Sequence, residues 1–151
     1  MQLTDLLTID RIRIPLEGGT KEELLRELVS IVAGADGIQD EEAVLRAVKE
    51  RESILSTGIG HGVAIPHGKS PSVPELRLAA GRAATPVDFD ALDGQPVALF
   101  FLLVGPETAA GLHIKALSRI SRLVRRDDVR DRLIAARSAA EFLQAMQDAE
   151  A

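Results

Sequence analysis

Apolar positions recur along the 151 residues in three rhythms, and each predicts a different element. Strict alternation in "RIRIPL", Arg11 to Leu16, predicts a strand. In "GGTKEELLRELVSIVAGADG" the period becomes helical, with Leu24, Leu25, Leu28, Val29, Ile31 and Val32 on one wide face. Thr20 is the expected N-cap, Glu23 completes a capping box, and Gly34 is the expected stop. A second helix is expected from about Asp40, in "DEEAVLRAVKERESIL", with Val44, Ala47, Val48, Ile54 and Leu55 as its apolar stripe. Arg51 follows Val48 by three positions, which aims one arginine at the interior or a cleft. "GVAIPH" and "LRLAAGRAA" read as strands, and "TPVDFDALDGQP" carries turn signals at both ends. "VALFFLLV", Val97 to Val104, has no polar side and predicts a central strand buried on both faces. Three helices are expected after it. In the first, His113, Leu117, Ile120 and Val124 share one face, and Lys115, Arg119, Arg122 and Arg126 another. Short strands among helices indicate an α/β fold: a central mixed sheet flanked by helices, one domain over residues 1–151.

Composition narrows the chemistry. There is no cysteine, which removes disulfides, thiolate ligands and cysteine nucleophiles together. Aromatic residues make up 3%, with no Trp or Tyr, so recognition by aromatic stacking is not expected. The formal net charge of -5 argues against general nucleic-acid binding. The longest apolar run is far too short to span a membrane, and the opening residues do not form a secretory signal. The expectation is a cytoplasmic protein with no direct membrane insertion.

The remaining chemistry is concentrated in "STGIGHGVAIPHGK", Ser56 to Lys69, which holds His61, His67 and four of the twelve glycines. It is not a phosphate-binding loop of the nucleotide type. That motif needs a glycine where Val63 stands, and Pro66 removes a backbone N–H. "GIGHG" has the wrong spacing for a dinucleotide fingerprint and follows a predicted helix. A metal site is disfavoured as well, because His61 and His67 flank an apparent strand and no acidic residue stands at ligand spacing. A histidine nucleophile remains open: imidazole can accept a phosphoryl group and pass it on. Such a site needs an aimed ring, cations or N–H groups for the phosphoryl oxygens, and a group that steadies the ring. His67, Arg51, the glycine-loop amides and His113 are candidates. Each also has a bland reading: a satisfied core histidine, an arginine paired with Glu50 or Glu52, a tight turn.

"KERESILSTGIGHGVAIPHGK" resembles the phospho-acceptor signature of the enzyme IIA proteins of the phosphoenolpyruvate-dependent sugar phosphotransferase system. The branch is the fructose/mannitol type, which includes the nitrogen-regulatory enzyme IIA. "TPVDFDALDGQPVALFFLLVGP" and the segment from Gly111 to Met146 are similar to other parts of that family, so the resemblance spans nearly the whole chain. It implies that His67 is the phosphoryl acceptor, that Arg51 helps hold the phosphoryl group and that His113 is the second active-site histidine. It also implies that Thr57, Gly58, Gly60 and Gly68 line the phosphoryl site. The implied donor is phospho-HPr or its nitrogen-branch paralogue, fed by enzyme I, with no cofactor and no metal. His61 stands where most members have Asn, a departure that bears on loop hydrogen bonding or pH response.

Two roles follow from the resemblance. In one, phosphorylation of His67 controls binding to partners such as kinases or ion-transport proteins. In the other, the group passes to an enzyme IIB during sugar uptake. The absence of a fused IIB or membrane segment, and the wording of "FDALDGQPV" and "IPHGK", favour the regulatory role. A paralogue that binds partners without phosphorylation is disfavoured by Arg51, His67 and His113 standing together.

Overall fold

The computed structural model describes all 151 residues. Its centre is one mixed sheet of six strands. The long strands β5 (Arg77–Val87) and β6 (Val97–Gly105) pair antiparallel, and β1 (Ile12–Leu16) lies parallel to β5 at one edge. On the other side of β6 run β3 (Val63–Ala64) and β4 (His67–Lys69), both parallel to it and nearly in line. The edge strand β2 (Gly58–Gly60) pairs antiparallel with β3. "GVAIPH" is therefore two strands and not one. The interruption falls at Ile65–Pro66, where proline has no N–H to give; its carbonyl still accepts from Leu103 N at 3.0 Å.

Helices cover both faces of the sheet. Leu99, Phe101 and Leu103 of β6 pack toward the C-terminal helices α3 (Ala110–Val124), α4 (Asp127–Ala135) and α5 (Ala139–Glu150). Phe100, Leu102 and Val104 pack toward α1 (Lys21–Asp36) and α2 (Glu41–Ile54). The uninterrupted apolar run of β6 is thus read by both layers. Each fully buried Leu or Phe of such a core stabilises it by roughly 1.5–3 kcal/mol.

Thr20 caps α1 as expected, its hydroxyl oxygen accepting from Glu23 N at 3.2 Å. The helix does not stop at Gly34. It runs on to Asp36 and ends at Gly37, whose φ of 66° is the left-handed cap conformation. On α2 the buried face is Val44, Leu45, Val48 and Glu52. Ile54 and Leu55, expected on the stripe, are 80% and 56% exposed, because α2 ends there and the chain turns away. Strand β5 continues through "TPV", past the turn signal at that end of the segment, and the irregularity lies within its pairing to β6 between Arg82 and Val87. Arg126 is not on α3; it is the N-cap of α4 and pairs with Asp128 at 2.9 Å.

Candidate functional site

The site lies where the parallel strands β4 and β6 end and α3 begins, the position at which open α/β sheets generally bind ligands. His67 opens β4 opposite Leu103. Its side chain falls on the α3 side, and the ring meets that of His113 edge-on, with centroids 5.5 Å apart. His113 belongs to the first turn of α3 and to its buried stripe with Ala116, Ile120 and Val124; Leu117 of the expected stripe is half-buried.

His67 Nδ1 lies 2.9 Å from the carbonyl oxygen of Ile65. A carbonyl can only accept, so the network assigns the hydrogen to Nδ1 and leaves the lone pair on Nε2. Burial lowers the His67 pKa, the Ile65 hydrogen bond opposes this, and the Arg51 and Lys69 charges add to the lowering while Glu52 opposes it. The result is a neutral ring at pH 7 with one free nitrogen. His113 is pushed down to about 4 by burial, with His67 and Lys69 adding to the effect. Neither of its ring nitrogens has a hydrogen-bond partner in the protein, an arrangement that costs about 1–3 kcal/mol for a buried polar group.

Arg51 is half-buried, and its Nη1 donates to the Leu55 carbonyl at 2.9 Å. No carboxylate comes within ion-pair distance of it. Its charge is therefore free, and near enough to depress His67. The inward residue on α2 is its neighbour Glu52, which pairs with Lys21 at 3.0 Å and not with Arg51.

Each loop residue has a local packing, turn or hydrogen-bonding role in the fold. The Thr57 hydroxyl is buried and donates to Glu52 Oε2 at 2.5 Å, so it does not face an open site. A Cβ on Gly68 would stand 3.0 Å from Val48 N, so that glycine lets α2 approach β4. A Cβ on Gly58 would stand 2.7 Å from Ala91 Cβ. Gly60, with φ of 101°, pairs with Val63 at the far end of the β2–β3 hairpin. His67 lies four positions beyond Val63, about 13 Å of extended chain at about 3.3 Å per residue. His61 occupies the turn of that hairpin, exposed, with φ of 57°.

Lys69 escapes the sequence reading and Glu52 enters it only as a possible partner of Arg51, though both have a signal. Glu52 follows Val48 by four and Leu45 by seven, on the buried stripe. Lys69 follows His67 by two, on the same side of a strand. No group of three or more His, Cys, Asp or Glu is arranged to hold a metal ion, and no helix is long and apolar enough to cross a membrane.

The model of the family described as "Phosphoenolpyruvate-dependent sugar phosphotransferase system, EIIA 2" matches residues 5–149. The chain belongs to this family.

Relatives within it fall into two groups. A nitrogen regulatory protein of Bradyrhizobium diazoefficiens is 42% identical over 92% of the chain and 90% of its own length. A fructose-specific EIIABC component of Bacillus subtilis is 41% identical over 91% of the chain, which spans only 22% of that protein. A fructose-specific EIIA component of Haloferax volcanii is 36% identical over 98% of the chain and 96% of its own length. Among solved structures, the nitrogen regulatory protein IIA-Ntr of Neisseria meningitidis superimposes with a TM-score of 0.88 at 33% identity, over 95% of this chain and 98% of that one. Enzyme IIA of the Escherichia coli mannitol system, solved in complex with phosphorylated enzyme IIB, shares the fold with a TM-score of 0.80 at 20% identity, over 94% of this chain and 97% of that one. The chain is thus a component of the phosphotransferase system whose relatives are both nitrogen-regulatory and sugar-specific.

Proposed function

We propose that the chain is a cytoplasmic phosphoryl carrier that accepts its group on Nε2 of His67 from phospho-HPr or the nitrogen-branch paralogue. Its phosphorylation state then selects regulated partners such as kinases or ion-transport proteins. The observation that carries the reading is the tautomer: the Ile65 carbonyl holds the hydrogen on Nδ1, so Nε2 presents its lone pair. In transfer, an Nε2–P bond forms as the bond from phosphorus to the donor breaks, and that electron pair returns to the donor. His67 keeps its Nδ1 hydrogen, which the Ile65 carbonyl steadies as the ring gains positive charge. Arg51, with no carboxylate partner, supplies charge to the phosphoryl oxygens. His113, neutral at pH 7, turns its unpaired N–H to one of them, which relieves its own unsatisfied group. The protein's work is aiming and charge stabilisation, as in other phosphoryl transfers.

Intact mass after incubation with phosphoenolpyruvate, enzyme I and HPr tests the proposal. One acid-labile phosphoryl adduct is expected on the wild type and none on His67→Ala. An adduct of equal yield on His67→Ala sinks the assignment.

A second reading is favoured by the fructose-specific relatives at 41% and 36% identity. In it the phosphoryl group passes from His67 to an enzyme IIB during sugar uptake. Transfer from the phosphorylated chain to purified fructose-type IIB separates the two: rapid loss of the adduct supports transport, and a stable adduct supports regulation.

A further inference from the structure

Glu52 is the single carboxylate on the buried face of α2, and it is 6% exposed. Its oxygens take three donors: Thr57 N at 2.9 Å, Thr57 Oγ1 at 2.5 Å and Lys21 Nζ at 3.0 Å. Lys21 opens α1, and its ammonium lies 4.8 Å over the Phe89 ring. The turn from Leu55 to Thr57, gripped in this way, touches both groups of the site. The Leu55 carbonyl accepts from Arg51 Nη1 at 2.9 Å. The Thr57 carbonyl accepts from Ile65 N at 3.0 Å, and the Ile65 carbonyl accepts from His67 Nδ1 at 2.9 Å.

A buried carboxylate–ammonium pair is a poor way to hold two helices together, since apolar residues of similar volume generally do at least as well. Helices α1 and α2 are already joined across their exposed faces by Lys49–Glu22 at 2.6 Å and Arg26–Glu42 at 2.9 Å. What a carboxylate adds is direction. It only accepts, so both Thr57 donors must face it. With those donors fixed, the opposite side of Thr57 presents its carbonyl to Ile65.

We propose that Glu52, held by Lys21, is a positioning residue of the phosphoryl site: through Thr57 it sets the aim of His67 and the placement of Arg51 without touching the phosphoryl group. This role rests on the reading of His67 as the phosphoryl acceptor. Glu52→Gln keeps the shape but turns an NH2 group toward a donor.

The test is single-turnover transfer from phospho-HPr, with nitrogen-15 spectra of the His67 ring recorded beside it. Glu52→Gln is expected to slow transfer about tenfold to a hundredfold, since small misplacements cost that much, with the donor concentration at half-saturation within about twofold of wild type. The His67 ring is expected to change from a single Nδ1–H tautomer to a mixture. Thr57→Val, a milder change, should repeat both effects in smaller measure, and Thr57→Ser should restore wild-type behaviour. Wild-type rate and tautomer in Glu52→Gln and Thr57→Val, whatever happens to their melting temperatures, overturn the proposal. The spectra need no phosphoryl transfer. A wild type that takes no phosphate from donors active on another acceptor therefore overturns the acceptor reading, and a changed tautomer in Glu52→Gln still identifies the clamp.

Discussion

His61 and His67 stand six residues apart, each before a glycine, near opposite ends of one line of strand. Their chemistry differs because of what surrounds them. His61 is exposed in a hairpin turn with φ of 57°, and Gly62 beside it has φ of 75°. Two successive positive φ values are what a tight two-residue hairpin demands, and Asn is favoured there for the same reason. The backbone N–H of His61 donates to Asp93 Oδ2 at 3.2 Å; the position is used for its backbone. His67 is half-buried, held by the Ile65 carbonyl, faced by His113 and within the field of Arg51 and Lys69. An imidazole becomes a candidate nucleophile through its neighbours, and only one of these two has them.

The comparison breaks most sharply at the nucleophile. His67→Ala should lose phosphoryl acceptance entirely while His61→Ala keeps it, read by mass under identical donor conditions. Equal loss in both would mean that the two histidines act together. Next in size is the cation that only His67 has. Arg51→Ala should slow transfer about a hundredfold to a thousandfold, the usual cost of removing one donor from a developing charge, with little change in melting temperature. A wild-type rate by rapid quench would reduce Arg51 to a cap on the Leu55 carbonyl.

The ring partner gives the third effect, on stability. Folding lowers the His113 pKa from 6.5 to about 4. Between these values the unfolded chain binds the extra proton, so the contribution is complete above about pH 6.5 and is lost as pH falls toward 4. The loss amounts to about 3 kcal/mol. Urea melts from pH 7 to 4 should show this slope in the wild type and a flatter one in His113→Leu; parallel slopes would refute it. Smallest is the turn. His61→Val should destabilise by about 1–2 kcal/mol, because a branched side chain is strained at positive φ, and His61→Asn should be near neutral. Both should transfer phosphate at the wild-type rate.

Much of this was legible in the chain because helix caps and periodic faces are local. Thr20 marks the start of α1, and the unbroken run from Val97 to Val104 marks the strand with two covered faces. The end of α1 was not legible. Gly34 and Gly37 are both acceptable stops, and only Gly37 takes the positive φ that ends the helix. The residues that meet at the candidate site, His67, His113 and Arg51, were legible, and what supports them was not. Glu52 sat beside Arg51 and invited a pairing that the helix geometry forbids, since adjacent residues face apart.

The sequence by itself determined the α/β class, the candidate histidine and the exclusion of thiol chemistry, because composition, spacing and period do not depend on how distant segments meet. Tertiary structure alone decided that β3 and β4 line up beside β6, that His113 faces His67 from 46 positions further along the chain, and that Nε2 is the free nitrogen. Those outcomes depend on hydrogen bonds and contacts between segments far apart in the chain. A tautomer in particular is set by a single carbonyl, and only the folded backbone says where that carbonyl points.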